Sequence, residues 1–171
     1  LTGDEAHYDD PAFRINACLR CNNQVLSRLE NVIHNAVIGG YDTFMQIDKL
    51  SLYRWLLKIY YCLLVVEIRF RSGNRTAEQL SVLDEGLLEL HASTMYFHLS
   101  SLIKEIDFTG PTYSILVFRL KDSMEFDFKT HIPAVSVILK LGEIGIVACL
   151  EDNGRVARGF GDSLDDLRSR T

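Results

Sequence analysis

Cysteine is too scarce in this chain to build a disulfide scaffold: there are four in 171 residues, enough length to bury a core without covalent staples. A secretory leader is also missing, since the first ten residues, LTGDEAHYDD, are acidic and polar where a basic n-region would stand. No apolar run is long and uninterrupted enough for a membrane span. The best one, residues 50–68, is broken by Arg54, Lys58 and Glu67, charges that are costly in lipid, so it is read as a buried helix. There is no phosphate-binding loop, no dinucleotide fingerprint, no internal repeat and no low-complexity tract. These absences leave a cytoplasmic globular protein as the default expectation. The chain opens on Leu1 rather than Met, which allows it to be part of a longer product.

Charge is unevenly spread. Residues 1–10 carry four acids and no Lys or Arg, residues 11–75 carry nine Lys/Arg against four acids, and residues 76–171 carry nine against fifteen. A polyanion such as DNA or RNA would therefore meet residues 11–75, where Arg14, Arg20, Arg28, Arg69, Arg71 and Arg75 are the candidate contacts. Scattered solvated charge explains the same numbers, and Arg69, Arg71 and Arg75 would also suit a helix C-terminus.

The hydrophobic period changes once along the chain. Residues 11–19 read as a strand. Asn22 and Asn23 are placed to cap a helix over 24–38, whose apolar positions 25, 26, 29, 32, 33, 36 and 37 share one face, and Gly39 and Gly40 end it. A linker leads to a long helix over 49–71, apolar almost all round and therefore central. Its many apolar positions, including Trp55, Tyr60 and Tyr61, would also suit contact with a protein partner or self-association. Two more helices are expected at 76–91, opened by a capping box at Thr76 and Gln79, and at 93–105. Four β-like runs follow at 112–120, 125–132, 134–141 and 143–151, joined by short turns as in an antiparallel meander. The terminal DSLDDLRSR reads as a short helix or a frayed tail. The expected fold is α+β: a knuckle strand and helix at residues 1–40, then helices and an antiparallel sheet over 41–171.

The spacing that carries chemistry is Cys18-x-x-Cys21. Two thiolates two residues apart can hold one side of a tetrahedral zinc, and a closed site needs two further Cys or His ligands. A redox pair has the same spacing, but no βαβ context accompanies it. Cys62 and Cys149, in apolar surroundings, read as small core residues. Of the histidines, His7 lies nearest upstream of the pair, His34 sits on the edge of the first helix, and His91 and His98 fall in helical sequence as structural or solvated residues.

CLRCNNQVLSRLE resembles the second zinc knuckle of a branch of the HNH endonuclease superfamily. In that branch Cys-x-x-Cys-Asn-Asn is followed by a Gly-Trp-Met-like segment and then Ser-x-Leu-Glu. Cys18, Cys21, Asn22, Asn23, Ser27, Leu29 and Glu30 match, while Gln24, Val25 and Leu26 replace the middle segment. A helix with Trp and Lys three residues apart also belongs to the branch, and Trp55 and Lys58 supply that pair. The resemblance implies a ββα-metal nuclease in which histidine activates water against a phosphodiester beside Mg²⁺ or Mn²⁺. On that alignment Cys18 and Cys21 are structural Zn²⁺ ligands and Asn22 is a ligand of the divalent ion. The first Cys pair and the general-base histidine belong upstream of Cys18, where no cysteine is present and where His7, followed by YDDP, approximates a His-x-x-Pro element with one residue too many. The expectation is the C-terminal part of a nuclease-related protein, or alternatively a non-catalytic nucleic-acid- or protein-binding module that keeps the knuckle.

Overall fold

The computed structural model describes residues 21–74, 85–104, 112–121 and 126–160, without the side chains of residues 21, 67–74, 85, 87, 88, 102, 103 and 133. The expected strand at 11–19, the capping box at Thr76 and Gln79 and the terminal DSLDDLRSR lie outside these residues.

A single turn of π-helix, Cys21–Leu26, runs straight into helix α1, Ser27–Ile38. Asn22 and Asn23 therefore do not cap α1, as the sequence suggested. A capping side chain needs non-helical backbone, and both asparagines lie inside the π turn. The residue before α1, Leu26, is itself helical and offers no side-chain cap. Ser27 Oγ instead bonds back to the Asn23 carbonyl.

The C-terminus of α1 follows expectation. Gly39 stays right-handed, its N–H bonded to the Asn35 carbonyl at 3.0 Å, and Gly40 turns the chain at φ 80°, ψ −177°. That combination is open essentially to glycine alone. A short α2, Tyr41–Phe44, follows directly.

Helix α3, Lys49–Asn74, is the long central helix and runs three residues past its expected end at 71. Its cap is Asp48, whose Oδ1 accepts the Ser51 N–H at 2.8 Å. Burial pushes the Asp48 carboxyl up, but the Ser51 and Leu50 hydrogen bonds and the Arg54 charge outweigh it and hold it below its ordinary value. The apolar face of α3, with Leu52, Tyr53, Leu56, Leu57, Tyr60 and Leu64, is fully buried.

The two helices expected at 76–91 and 93–105 are replaced, among the described residues, by one helix α4, Glu85–Ile103. Ser93 does not interrupt it. The neighbouring hydroxyls satisfy themselves within the helix: Thr94 Oγ1 donates to the Leu90 carbonyl and Ser100 Oγ to the Tyr96 carbonyl.

The four C-terminal runs form one antiparallel sheet: β1 Ser114–Arg119, β2 Asp127–His131, β3 Ser136–Leu141 and β4 Ile144–Cys149. Its order is β1-β4-β3-β2, so only β2, β3 and β4 form a meander and β1 pairs with β4 on the far side. The strand with most to bury is β4, with Ile144, Gly145, Ile146 and Ala148 all buried. Pairing on both of its edges places it centrally. Gly142, at φ 59°, opens the two-residue turn between β3 and β4. A 3-10 turn, Ile132–Ala134, joins β2 to β3 and leaves Val135 left-handed at φ 45°.

Alternation along the strands sends Val137, Leu139, Ile144, Ile146 and Ala148 into one core with the α3 face, Met95 of α4 and Ile33 and Ala36 of α1. The side chains of β3 divide accordingly, Val137 and Leu139 inward and Ile138 outward. Residues 155–160 are helical again after a turn in which Asp152 accepts the N–H groups of Gly154 and Val156.

Candidate functional site

The π turn that starts at Cys21 is an uncommon winding, found often at functional sites. Asn22 stands exposed on it, its amide within 3.4 Å of the Asn23 side-chain oxygen. Cys18, His7, Arg14 and Arg20 lie outside the described residues, as does the Cys21 side chain. Among the described residues no group of three or more His, Cys, Asp and Glu converges as a metal site.

Helix α1 docks on α3. Glu30 of α1 pairs with Lys58 of α3 through a short contact between Oε1 and Nζ. Trp55, one turn before Lys58, packs against the core. The Ser-x-Leu-Glu and Trp-x-x-Lys segments, 28 residues apart at Glu30 and Lys58, thus meet directly. One turn further, burial pushes the Cys62 thiol up. Lys58 acts on it in the lowering direction and Glu30 in the raising direction.

The basic residues are only partly in view. Arg28 is exposed on α1. Arg69 and Arg71 occupy the last turns of α3, with their side chains outside the description, and Arg75 lies beyond it. Of the aromatic residues singled out on α3, Tyr60 is buried, and Trp55 and Tyr61 are partly buried and pack against the core. The large exposed apolar side chains of the helical half include Leu63 on α3 and Leu90, Tyr96 and Phe97 on α4.

A second polar constellation lies inside, between α3, α4 and the sheet. Thr112 Oγ1 donates to the Tyr53 oxygen at 3.4 Å, and Tyr53 Oη lies 3.3 Å from His98 Nδ1. The Tyr53 ring stacks on Tyr113 with centroids 4.1 Å apart. Close by, His91 Nδ1 lies 3.1 Å from Glu151 Oε2. His91 Nε2 and Glu151 Oε1 are buried without a hydrogen-bond partner. Burial, seconded by the Glu151 charge, pushes the Tyr53 hydroxyl up to about 12 against the Thr112 hydrogen bond and raises Tyr60 as well. From the sequence His91 and His98 are expected to be structural or solvated residues. Their spacing of seven on one helix did put them on one face, but Tyr53 and Glu151 come from distant segments with no local signal.

Comparison with protein-family models, with curated proteins and with solved structures returned no match. Among the described residues no helix is long and apolar enough to cross a membrane. The fold is a helical half with a central long helix on a four-stranded antiparallel sheet.

Proposed function

We propose that this chain is the C-terminal part of an HNH-type, metal-dependent nuclease-related protein acting on nucleic acid phosphodiesters. The observation that carries the reading is the Glu30–Lys58 pair, which brings the two segments of the resemblance onto one pair of docked helices. In this reading Cys18 and Cys21 hold Zn²⁺ with two further ligands from the upstream half of the site. The zinc is structural. Asn22, exposed at the start of the helix that the knuckle opens, is the ligand offered to Mg²⁺ or Mn²⁺. Such an ion stabilises the leaving oxygen in phosphodiester hydrolysis. The general base is a histidine of the upstream half, for which His7 is the nearest residue in hand. Lys58 and Glu30 fix the angle of α1 against α3 and so the direction in which Asn22 is presented.

The test uses the full-length protein. Stoichiometric zinc by elemental analysis, with plasmid nicking in Mg²⁺ or Mn²⁺ that is lost in Asn22→Ala, supports the reading. Protein that folds without zinc and nicks nothing defeats it.

A second reading is favoured by Arg28, exposed on α1 within the basic stretch 11–75. Here the knuckle helix binds nucleic acid without cutting it. The logarithm of the affinity would fall linearly with the logarithm of salt concentration, and Arg28→Ala would reduce that slope by about 1 if Arg28 meets a phosphate. A salt-insensitive affinity would rule this version out.

A further inference from the structure

The Tyr53 constellation is not used by the chemistry proposed above, and its hydrogen bonds have a direction. A phenol carries one proton. Thr112 Oγ1 donates into the Tyr53 oxygen at 3.4 Å, and the Tyr53 O–H has His98 Nδ1 within 3.3 Å as an acceptor. When the phenol donates, that nitrogen is a bare acceptor and the ring's own proton sits on Nε2, the neutral tautomer that this row favours.

We propose that His98 is an acid-sensitive joint between α3, α4 and the segment leading into β1. A proton added at Nδ1 points an N–H at the Tyr53 O–H. The row then has two donors facing each other, and it persists only if Tyr53 turns its proton away. From α3, Tyr53 and Tyr60 face this region. From the lead into β1 come Thr112 and Tyr113. From α4 come His91 and the ring of Phe97, which lies edge-on to His98 at 6.0 Å. Among the described residues, Glu151, just past β4, acts on His98 and favours the cation. Its Oε2 is engaged with His91. Burial acts the other way and is the larger influence, holding His98 below its ordinary value of 6.5.

The sign follows. A histidine held low in the fold prefers to be neutral there, so its contribution is complete above the unfolded value of 6.5. It is lost as the pH falls below that value, because the unfolded chain takes the proton first. The exposed Leu90, Tyr96 and Phe97 of α4 lie on the element so released.

The experiment is nitrogen-detected NMR of the histidine rings of the full chain, with urea unfolding at pH 7.5 and 5.5. At pH 7.5 His98 should show a bare Nδ1 and a protonated Nε2. It should titrate below 6.5. The unfolding midpoint should fall on acidification. His98→Gln, which keeps an acceptor for Tyr53 and cannot charge, should lose most of that fall. Tyr53→Phe should move the His98 titration toward the ordinary value. A protonated Nδ1 at pH 7.5, or a His98→Gln protein with the wild-type acid dependence, overturns the proposal. If His98→Gln does not fold, the ring tautomer of the wild-type protein decides.

Discussion

Replacing Glu30 by Gln and Lys58 by Met should have unequal costs, although each removes the same ion pair. The Lys58 side chain is 16% exposed and that of Glu30 48%. Glu30→Gln leaves a largely covered ammonium facing a neutral amide. Two charges at contact are worth about 4 kcal/mol at an effective dielectric of 20. Water at the half-exposed carboxylate screens much of this, and a retained amide hydrogen bond offsets part of the rest, so the expected loss is about 1–2 kcal/mol. Lys58→Met removes the buried charge along with its partner's role and keeps the apolar stem. Its expected cost is below about 1 kcal/mol, since an apolar replacement of a covered ion is often near neutral. In thermal melts the first loss corresponds to about 2–8 °C for a chain of this size. Cys62 supplies an independent readout. Lys58 draws its thiol down and Glu30 draws it up, so iodoacetamide should react faster at Cys62 in Glu30→Gln and slower in Lys58→Met. Equal destabilisation by both variants, or alkylation rates that move the opposite way, would refute the idea that this pair is a partly desolvated contact fixing α1 on α3.

Three other outcomes are expected. Gly40→Ala should destabilise by about 1–3 kcal/mol in urea unfolding, because φ 80° with ψ −177° is strained for alanine and its Cβ would meet Glu143 Oε1 at 3.0 Å. A stabilised Gly40→Ala protein would contradict that conformation, since glycine-to-alanine changes at relaxed sites stabilise. Asp48→Ala should cost about 1 kcal/mol at pH 7 through loss of the α3 cap. The Asp48 carboxyl is held below its ordinary value of 3.8; its contribution is therefore present above that value and fades as the pH falls through the lower folded one, so wild type and variant should converge in acid. Leu56→Ala, at a position with 0% exposure, should cost about 2–5 kcal/mol by calorimetry or urea.

The elements whose signal is local were legible. The length of α3 followed from a run with apolar residues on nearly every face, and the four strands from alternation bounded by turns. Their bounds moved only slightly, from 134–141 to Ser136–Leu141 for β3, for example. What was not legible depends on contacts between distant residues. Periodicity marks β1 as a strand but is silent on its partner; the choice of β4 over β2 comes from β4 needing cover on both edges. Ser93 resembled a helix boundary because serine competes for backbone hydrogen bonds in isolation. Within α4 its hydroxyl-bearing neighbours bond back one turn and the competition is absorbed. Asn22 and Asn23 were misjudged as caps because capping statistics assume that a non-helical residue precedes the helix, whereas here a π turn does.

The same distinction separates the two polar constellations. Cys18, Cys21 and Asn22 sit within five residues, so spacing alone suggests metal chemistry. Tyr53, His98 and Thr112 are separated by 45 and 59 residues from their partners, so no pattern along the chain could announce them. They come together because α3 and α4 bury one face each against the start of β1. In the proposed row one hydroxyl donates in, the phenol proton passes on, and one imidazole nitrogen accepts. A site of the first kind can be proposed from sequence and tested by metal content. The second kind is visible only in the packed fold, and its signature is a titration rather than a motif.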